Sequence, residues 1–203
     1  MLFKFSLTKF LRLEDVLEAY HGTKIENKEK IVSESFSIGD TPNRIPNDLG
    51  NGIYFFLDKG SNYKNPKEMA ESFVKNYREC SNDEHIIFKV TVSDEAKLID
   101  YNDAANAGLF EKFRNENLKI ILKHYDSFVY KSKLKSPSIP GSLKRANLDG
   151  IVFELLKNKA KYDGVVKDTY TPQDKKYNKS SFPNGRELCL YNLDKILEIK
   201  EAT

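Results

Sequence analysis

Apolar positions along the chain form two kinds of pattern. Compact runs at 17–21, 52–57 (GIYFFL), 85–92 (HIIFKVTV), 162–166 and 187–191 are short, rich in β-branched and aromatic residues, and bounded by turn formers, which predicts strands. The first is expected to end in a Gly22-Thr23 turn, and the second follows a Gly50-Asn51-Gly52 break. Between them lie helical spacings. Residues 65–79 open on Asn65-Pro66 and place Met69, Phe73 and Tyr77 four apart, predicting a helix with proline in its first turn. Residues 109–125 carry Leu109, Phe113, Leu118, Ile121 and Leu122 in mixed helical spacing. Residues 149–159 read as a helix or, from DGIVFELL, as a strand. Scattered strands with helices set between them predict an α+β fold rather than a doubly wound parallel sheet.

Composition narrows the class without naming an activity. With 203 residues, 39% hydrophobic and 31% charged, the chain is expected to form one globular domain that buries roughly 70% of its unfolded surface. No apolar run approaches the ~20 residues of a membrane span, so no membrane association is expected. The first fifteen residues mix lysines with apolar residues and show no small-residue cleavage site, so a cytoplasmic protein is expected. Two cysteines and three dispersed histidines give neither a disulfide framework nor a zinc spacing. Net charge is +3 but uneven: residues 1–100 hold 14 Lys/Arg against 17 Asp/Glu, and residues 101–203 hold 19 against 13. That asymmetry permits an anionic partner without requiring one. The basic stretch 131–145 (KSKLKSPSIPGSLKR) reads as an exposed loop.

The common enzyme signatures are absent: there is no glycine-rich phosphate loop, dinucleotide fingerprint or nucleophile elbow. Asp149-Gly150 and Asp163-Gly164 read as turns. Three features remain. His21-Gly22-Thr23 closes a predicted strand, where a histidine is either a satisfied edge residue or a functional one. Gly50 and Gly52 precede an aromatic strand, where Tyr54 either packs in the core or faces a ligand, and glycine lets another group approach the backbone. Glu187 heads an otherwise apolar strand, where a carboxylate either faces water or is costly unless paired or functional.

The order and surroundings of these pieces resemble the ADP-ribosyltransferase superfamily, in its poly(ADP-ribose) polymerase and diphtheria-toxin-like branch. That branch carries a dispersed His–Tyr–Glu signature, matched here by His21, Tyr54 in Gly-Asn-Gly-Ile-Tyr-Phe-Phe, and Glu187 in Gly-Arg-Glu-Leu-Cys-Leu-Tyr, over residues 16–200. The resemblance implies a split antiparallel sheet with flanking helices and NAD as substrate. It gives His21 an adenosine-ribose contact and Gly22 a backbone pairing to the nicotinamide amide. Tyr54 stacks on the nicotinamide ring, and Glu187 stabilises the charge on the ribose as nicotinamide leaves. Thr23 adds a ribose contact. The second stacking aromatic is Tyr63, from Ser61-Asn62-Tyr63, or Phe73, from Ala70-Glu71-Ser72-Phe73, with Tyr63 preferred. The polar segment 37–50 matches the loop that covers NAD, with Arg44 as a contact to the diphosphate or a solvent-facing cation.

Two departures shape the expected activity. Arginine-specific relatives carry a carboxylate or amide two residues before the catalytic glutamate, where this chain has Gly185. The polymerases also carry regulatory and acceptor regions that 203 residues do not accommodate. The resemblance therefore implies a mono-ADP-ribosyltransferase, or an NAD glycohydrolase, acting as an intracellular toxin or phage-defence enzyme with a possible antitoxin partner. A non-catalytic binding module on the same fold is the alternative. The acceptor, protein or RNA/DNA, stays open. Residues 157–186, with eight Lys/Arg against Asp163, Asp168 and Asp174, read as a nucleic-acid groove with Tyr162, Tyr170 and Tyr177 for stacking, or as a solvated face.

Overall fold

A computed structural model describes residues 16–39, 46–78, 80–135, 148–172, 180 and 182–202. It is a mixed α+β structure with one seven-stranded sheet and, among the described residues, five α-helices. In chain order these are β1 (Leu17–Lys24), α1 (Lys28–Glu34), β2 (Ile53–Leu57), α2 (Pro66–Tyr77), β3 (His85–Val92), β4 (Leu98–Asp100), α3 (Ala104–Glu116), α4 (Leu118–Lys135), α5 (Leu148–Ala160), β5 (Gly164–Thr169), β6 (Gly185–Leu190) and β7 (Ile196–Glu201). The sheet order is β4-β5-β6-β2-β1-β3-β7, antiparallel throughout except for β4 beside β5.

Register decides which side chains share a face. Val165 pairs with Cys189, and Cys189 with Tyr54. Lys167 pairs with Glu187, Glu187 with Phe56, and Phe56 with Tyr20. Because side chains alternate along a strand, all of these point the same way. Two groups of helices cover that face. Helices α3, α4 and α5 bury Phe110, Phe113, Ile121, Ile151 and Phe153 against Ile99, Val165 and Cys189. Helix α2 buries Met69, Ala70 and Val74 against Phe56 and Ile87. The opposite face buries Phe55, Phe88, Val90 and Leu188 with Ile31 and Phe36. Fully burying a phenylalanine such as Phe55 or Phe88 contributes about 1.5–3 kcal/mol.

Several expectations are corrected. Strand β1 runs through Gly22-Thr23 to Lys24 instead of turning there. Residues 109–125 divide between α3 and α4, since the Asn117 side chain donates to the Phe113 carbonyl at 2.8 Å and ends α3. Residues 149–159 are helical, with Asp149-Gly150 in the first turn of α5 and not in a β-turn. Residues 131–135 continue α4, while 136–145 of the expected basic loop lie outside the described residues. Helix α2 forms as read: Asn65 Oδ1 accepts the Lys67 N–H at 2.8 Å and Pro66 takes the first turn.

Candidate functional site

The two helix groups leave a gap above the middle of the sheet, and a cavity of about 1000 Å³ occupies it. His21, Gly22, Tyr54, Phe73 and Glu187 all line it. A smaller cavity of about 200 Å³ adjoins it, and His21 and Ile53 line both. Of the other residues expected at a site, Thr23 lines the smaller cavity and bonds Asn27 Nδ2 at 3.0 Å. Tyr63 lines neither; it is 45% exposed beneath the Lys59 ammonium, 4.3 Å from its ring centre. Arg44 lies outside the described residues.

The gap reaches into the sheet itself. The β1–β2 ladder consists of the pair Tyr20–Phe56 alone, whereas β1 pairs with β3 along its whole length. Ala202 N–H donates to the Ile87 carbonyl at 2.9 Å, so the backbone groups of Ile87 point toward β7. Its β1 partner Gly22 then forms a non-hydrogen-bonded pair with it and turns its own N–H and C=O toward β2, where the ladder has ended. Residue 22 must also be glycine for packing, since a Cβ there would lie 2.5 Å from the Ala70 carbonyl oxygen of α2.

Each side chain is held differently. His21 belongs to the opposite face, edge-on to Phe36 and Phe55 at 5.1 and 5.7 Å. Its Nδ1 lies 2.7 Å from the Tyr54 carbonyl oxygen. A carbonyl only accepts, so Nδ1 carries the hydrogen and the neutral ring keeps a lone pair on Nε2. Burial holds the His21 pKa below the ordinary 6.5; the carbonyl opposes this and the Arg78 charge adds to it. Tyr54 accepts from Leu49 N–H and donates to the Gly50 carbonyl, both at 3.0 Å. Its hydroxyl is thereby committed and, mainly through burial, titrates well above the usual tyrosine range. What Tyr54 offers the cavity is its ring. The group that approaches the backbone at the Gly-Asn-Gly turn belongs to the protein itself, since a Cβ on Gly52 would lie 2.6 Å from the Leu190 carbonyl oxygen. Glu154 Oε1 accepts the Asn51 N–H at 2.6 Å and anchors the same turn to α5.

Glu187 is 9% exposed, with Phe56 and Lys167 as its cross-strand neighbours. It is neither a water-facing edge residue nor part of the hydrocarbon core. Beside it, Asp168 is paired with Arg186 at 2.7 Å and Lys59 at 3.2 Å. Burial pushes the Asp168 carboxyl up, but the two cations prevail and hold it below the usual range. Cys189 is buried and its thiol is pushed well up, which removes it as a nucleophile near neutral pH. The described residues contain no cluster of three metal-ligating side chains. None of their helices is long and apolar enough to cross a membrane.

The cavity also gathers residues that the sequence did not single out. Arg78, at the end of α2, lines it and has no ion-pair partner among the described residues. Lys167 and Thr169 enter through the β5 register, which no local motif announces. Tyr170 lines the cavity, but Tyr162 is core: 4% exposed, it donates its hydroxyl to the Phe153 carbonyl and cannot stack on a ligand. Tyr177 lies outside the described residues.

No protein-family model, curated protein or solved structure matches the chain.

Proposed function

We propose that the protein cleaves NAD and transfers ADP-ribose to a macromolecular acceptor, on a fold of the ADP-ribosyltransferase type. One observation carries the reading: residues as distant in sequence as His21, Gly22, Tyr54 and Glu187 meet on the wall of one large cavity, where the β1–β2 ladder opens. Their chemistry suits a dinucleotide. The backbone of Gly22 presents a donor and an acceptor to an amide, and the rings of Tyr54 and Phe73 supply apolar walls for nicotinamide. The Nε2 lone pair of His21 accepts from a ribose hydroxyl. Arg78 is a cation suited to the diphosphate.

The nicotinamide–ribose bond breaks with its electron pair leaving on nicotinamide, and positive charge develops at C1′ of the ribose. A carboxylate beside that centre lowers the barrier, and Glu187, which lines the cavity from the central strand β6 next to Tyr54's strand β2, is placed for that role. Transfer to arginine is disfavoured by Gly185. Its Cβ position is 2.6 Å from Met69 Cε, so the space for a second carboxylate is filled. With water as acceptor the same site is an NAD glycohydrolase.

The test is nicotinamide release from NAD by wild type and Glu187→Gln. Loss of one preorganised electrostatic contact typically costs about 10²–10³-fold in rate. A Glu187→Gln variant that melts like wild type and retains its turnover would remove Glu187 from the chemistry. Absence of release by the wild type, alone and with cell lysate, would favour the binding-module alternative.

A further inference from the structure

We infer that β5 forms the acceptor wall of this cavity and that the acceptor is a single-stranded nucleic acid. The inference rests on the proposed NAD chemistry and extends it to the second substrate. The sheet order β5-β6-β2-β1 arranges the cavity groups in sequence: Lys167 and Thr169, then Glu187, then Tyr54, then Gly22. By the register Lys167 and Glu187 share one rung and Tyr54 lies one same-face position further along the strands, so these groups run as a diagonal across neighbouring strands about 4.8 Å apart. If nicotinamide occupies the Gly22–Tyr54 end and Glu187 sits by the ribose, the leaving group departs toward β1. The incoming nucleophile then attacks C1′ from the β5 side.

The chemistry of that wall is specific. Lys167 stands directly across the ladder from Glu187, its ammonium 4.9 Å from the centre of the Tyr101 ring and without a carboxylate partner among the described residues. Thr169, paired with Gly185, carries a buried hydroxyl with no hydrogen-bond partner among the described residues. Such an orphan is costly and is satisfied when another polar atom is brought to it. At the mouth, between the lining residues Ser180 and Pro183, Phe182 is 81% exposed. The Lys167 ammonium on the wall and the exposed Phe182 ring suit a phosphate backbone with a base stacked on the ring, and an acidic peptide would leave Phe182 without a partner.

In the transfer step, C1′ loses its bond to nicotinamide, whose nitrogen keeps the electron pair. A base nitrogen or oxygen donates a lone pair to C1′, and the proton it loses passes to solvent. NAD and the oligonucleotide thus give nicotinamide, the ADP-ribosylated oligonucleotide and one proton.

The experiment incubates the enzyme with adenylate-labelled NAD and single-stranded DNA and RNA 20-mers, with casein as the protein probe, and measures label transfer and nicotinamide release separately. Label is expected on an oligonucleotide. The ratio of transfer to release is expected to fall about tenfold in Phe182→Ala, whose exposed position makes misfolding no concern, and in Lys167→Ala, and to recover in Lys167→Arg. Transfer to casein alone, an unchanged ratio in both variants, or release without labelled oligonucleotide would each overturn the acceptor assignment while leaving NAD cleavage standing. Absence of release overturns the NAD chemistry, and the acceptor with it.

Discussion

His21 donates through Nδ1 to the carbonyl oxygen of Tyr54 at 2.7 Å, across the point where β1 and β2 cease to pair. A side chain thus takes the place of a ladder bond. The consequence is a sheet that stays joined at its middle while exposing the backbone of Gly22. The imidazole is therefore both a bridge within the sheet and a wall of the cavity, and the two roles separate experimentally.

Acid separates one of them. The folded-state pKa of His21 lies below the unfolded value of 6.5, so both states are neutral at higher pH and the contribution of the ring to stability is complete there. As pH falls below 6.5 the unfolded chain binds the proton first, and stability declines until the folded-state pKa is reached. Urea titrations at pH 7.5, 6.5 and 5.5 should show a steeper acid-side loss for wild type than for His21→Gln. Parallel curves would place the ring in a solvated, unshifted setting. Because the Arg78 charge adds to the depression, Arg78→Ala should raise the His21 pKa in an NMR titration.

Hydroxyl and ring contributions of Tyr54 are likewise separable. Tyr54→Phe leaves the Leu49 N–H without its acceptor, an expected loss of about 1–3 kcal/mol in stability. NAD binding should survive in that variant, because the ring remains, and should be lost in Tyr54→Ala. Calorimetry decides it: equal loss of NAD binding in both variants would mean that the hydroxyl, not the ring, is what the ligand uses.

Of the two candidates for the second stacking aromatic, Phe73 lines the cavity and Tyr63 does not. Phe73→Ala should raise the KM for NAD about tenfold, the scale of an aromatic contact together with its buried area. Tyr63→Ala, on an exposed ring outside the cavity, should leave KM within about twofold. The reverse ranking in steady-state kinetics would return the second stacking position to Tyr63.

Glycine replacements should divide by what they strike. Gly22→Ala drives a Cβ onto the Ala70 carbonyl, which cannot yield without moving α2, and should cost about 1–3 kcal/mol. Gly185→Ala meets only the terminal methyl of Met69, so it should cost less and be relieved by Met69→Ala. Thermal melts of the two single variants and the double variant measure this, and equal losses at both positions would contradict the difference in what they contact.

Some of the molecule was legible because local chemistry and tertiary environment agree. Asn65-Pro66 caps α2 and 85–92 is β3 without adjustment, while of the stripe Met69, Phe73 and Tyr77 only Met69 is buried and the two rings stand half-buried at the cavity. Elsewhere the signals are ambiguous for physical reasons. Ile151, Val152 and Phe153 are consecutive and all buried, so the opening turns of α5 present no polar face to mark its period. Leu118, Ile120 and Leu122 are exposed, so apolar spacing continues past the break at Asn117. Gly22 reads as a turn because the carbonyl that requires its missing Cβ lies on a helix 48 residues later. The short strands β4 and β7 carry too little alternation to be separated from their surroundings. Within the cavity, His21, Tyr54 and Glu187 sit in recognisable local strings, whereas Lys167, Thr169 and Arg78 arrive through register and helix placement alone.

Helix α2 touches β1 through Ala70 over Gly22 and β6 through Met69 over Gly185, so two adjacent residues span the strand between them. The sheet alone does not set how far β1 stands from β2; the helix lying across it does, like a spacer block across a joint. The aperture of the cleft is accordingly written in side-chain volumes at positions 69 and 70, on the dry side of the helix. Selection for a wider or narrower ligand can act there without altering any residue that the ligand meets.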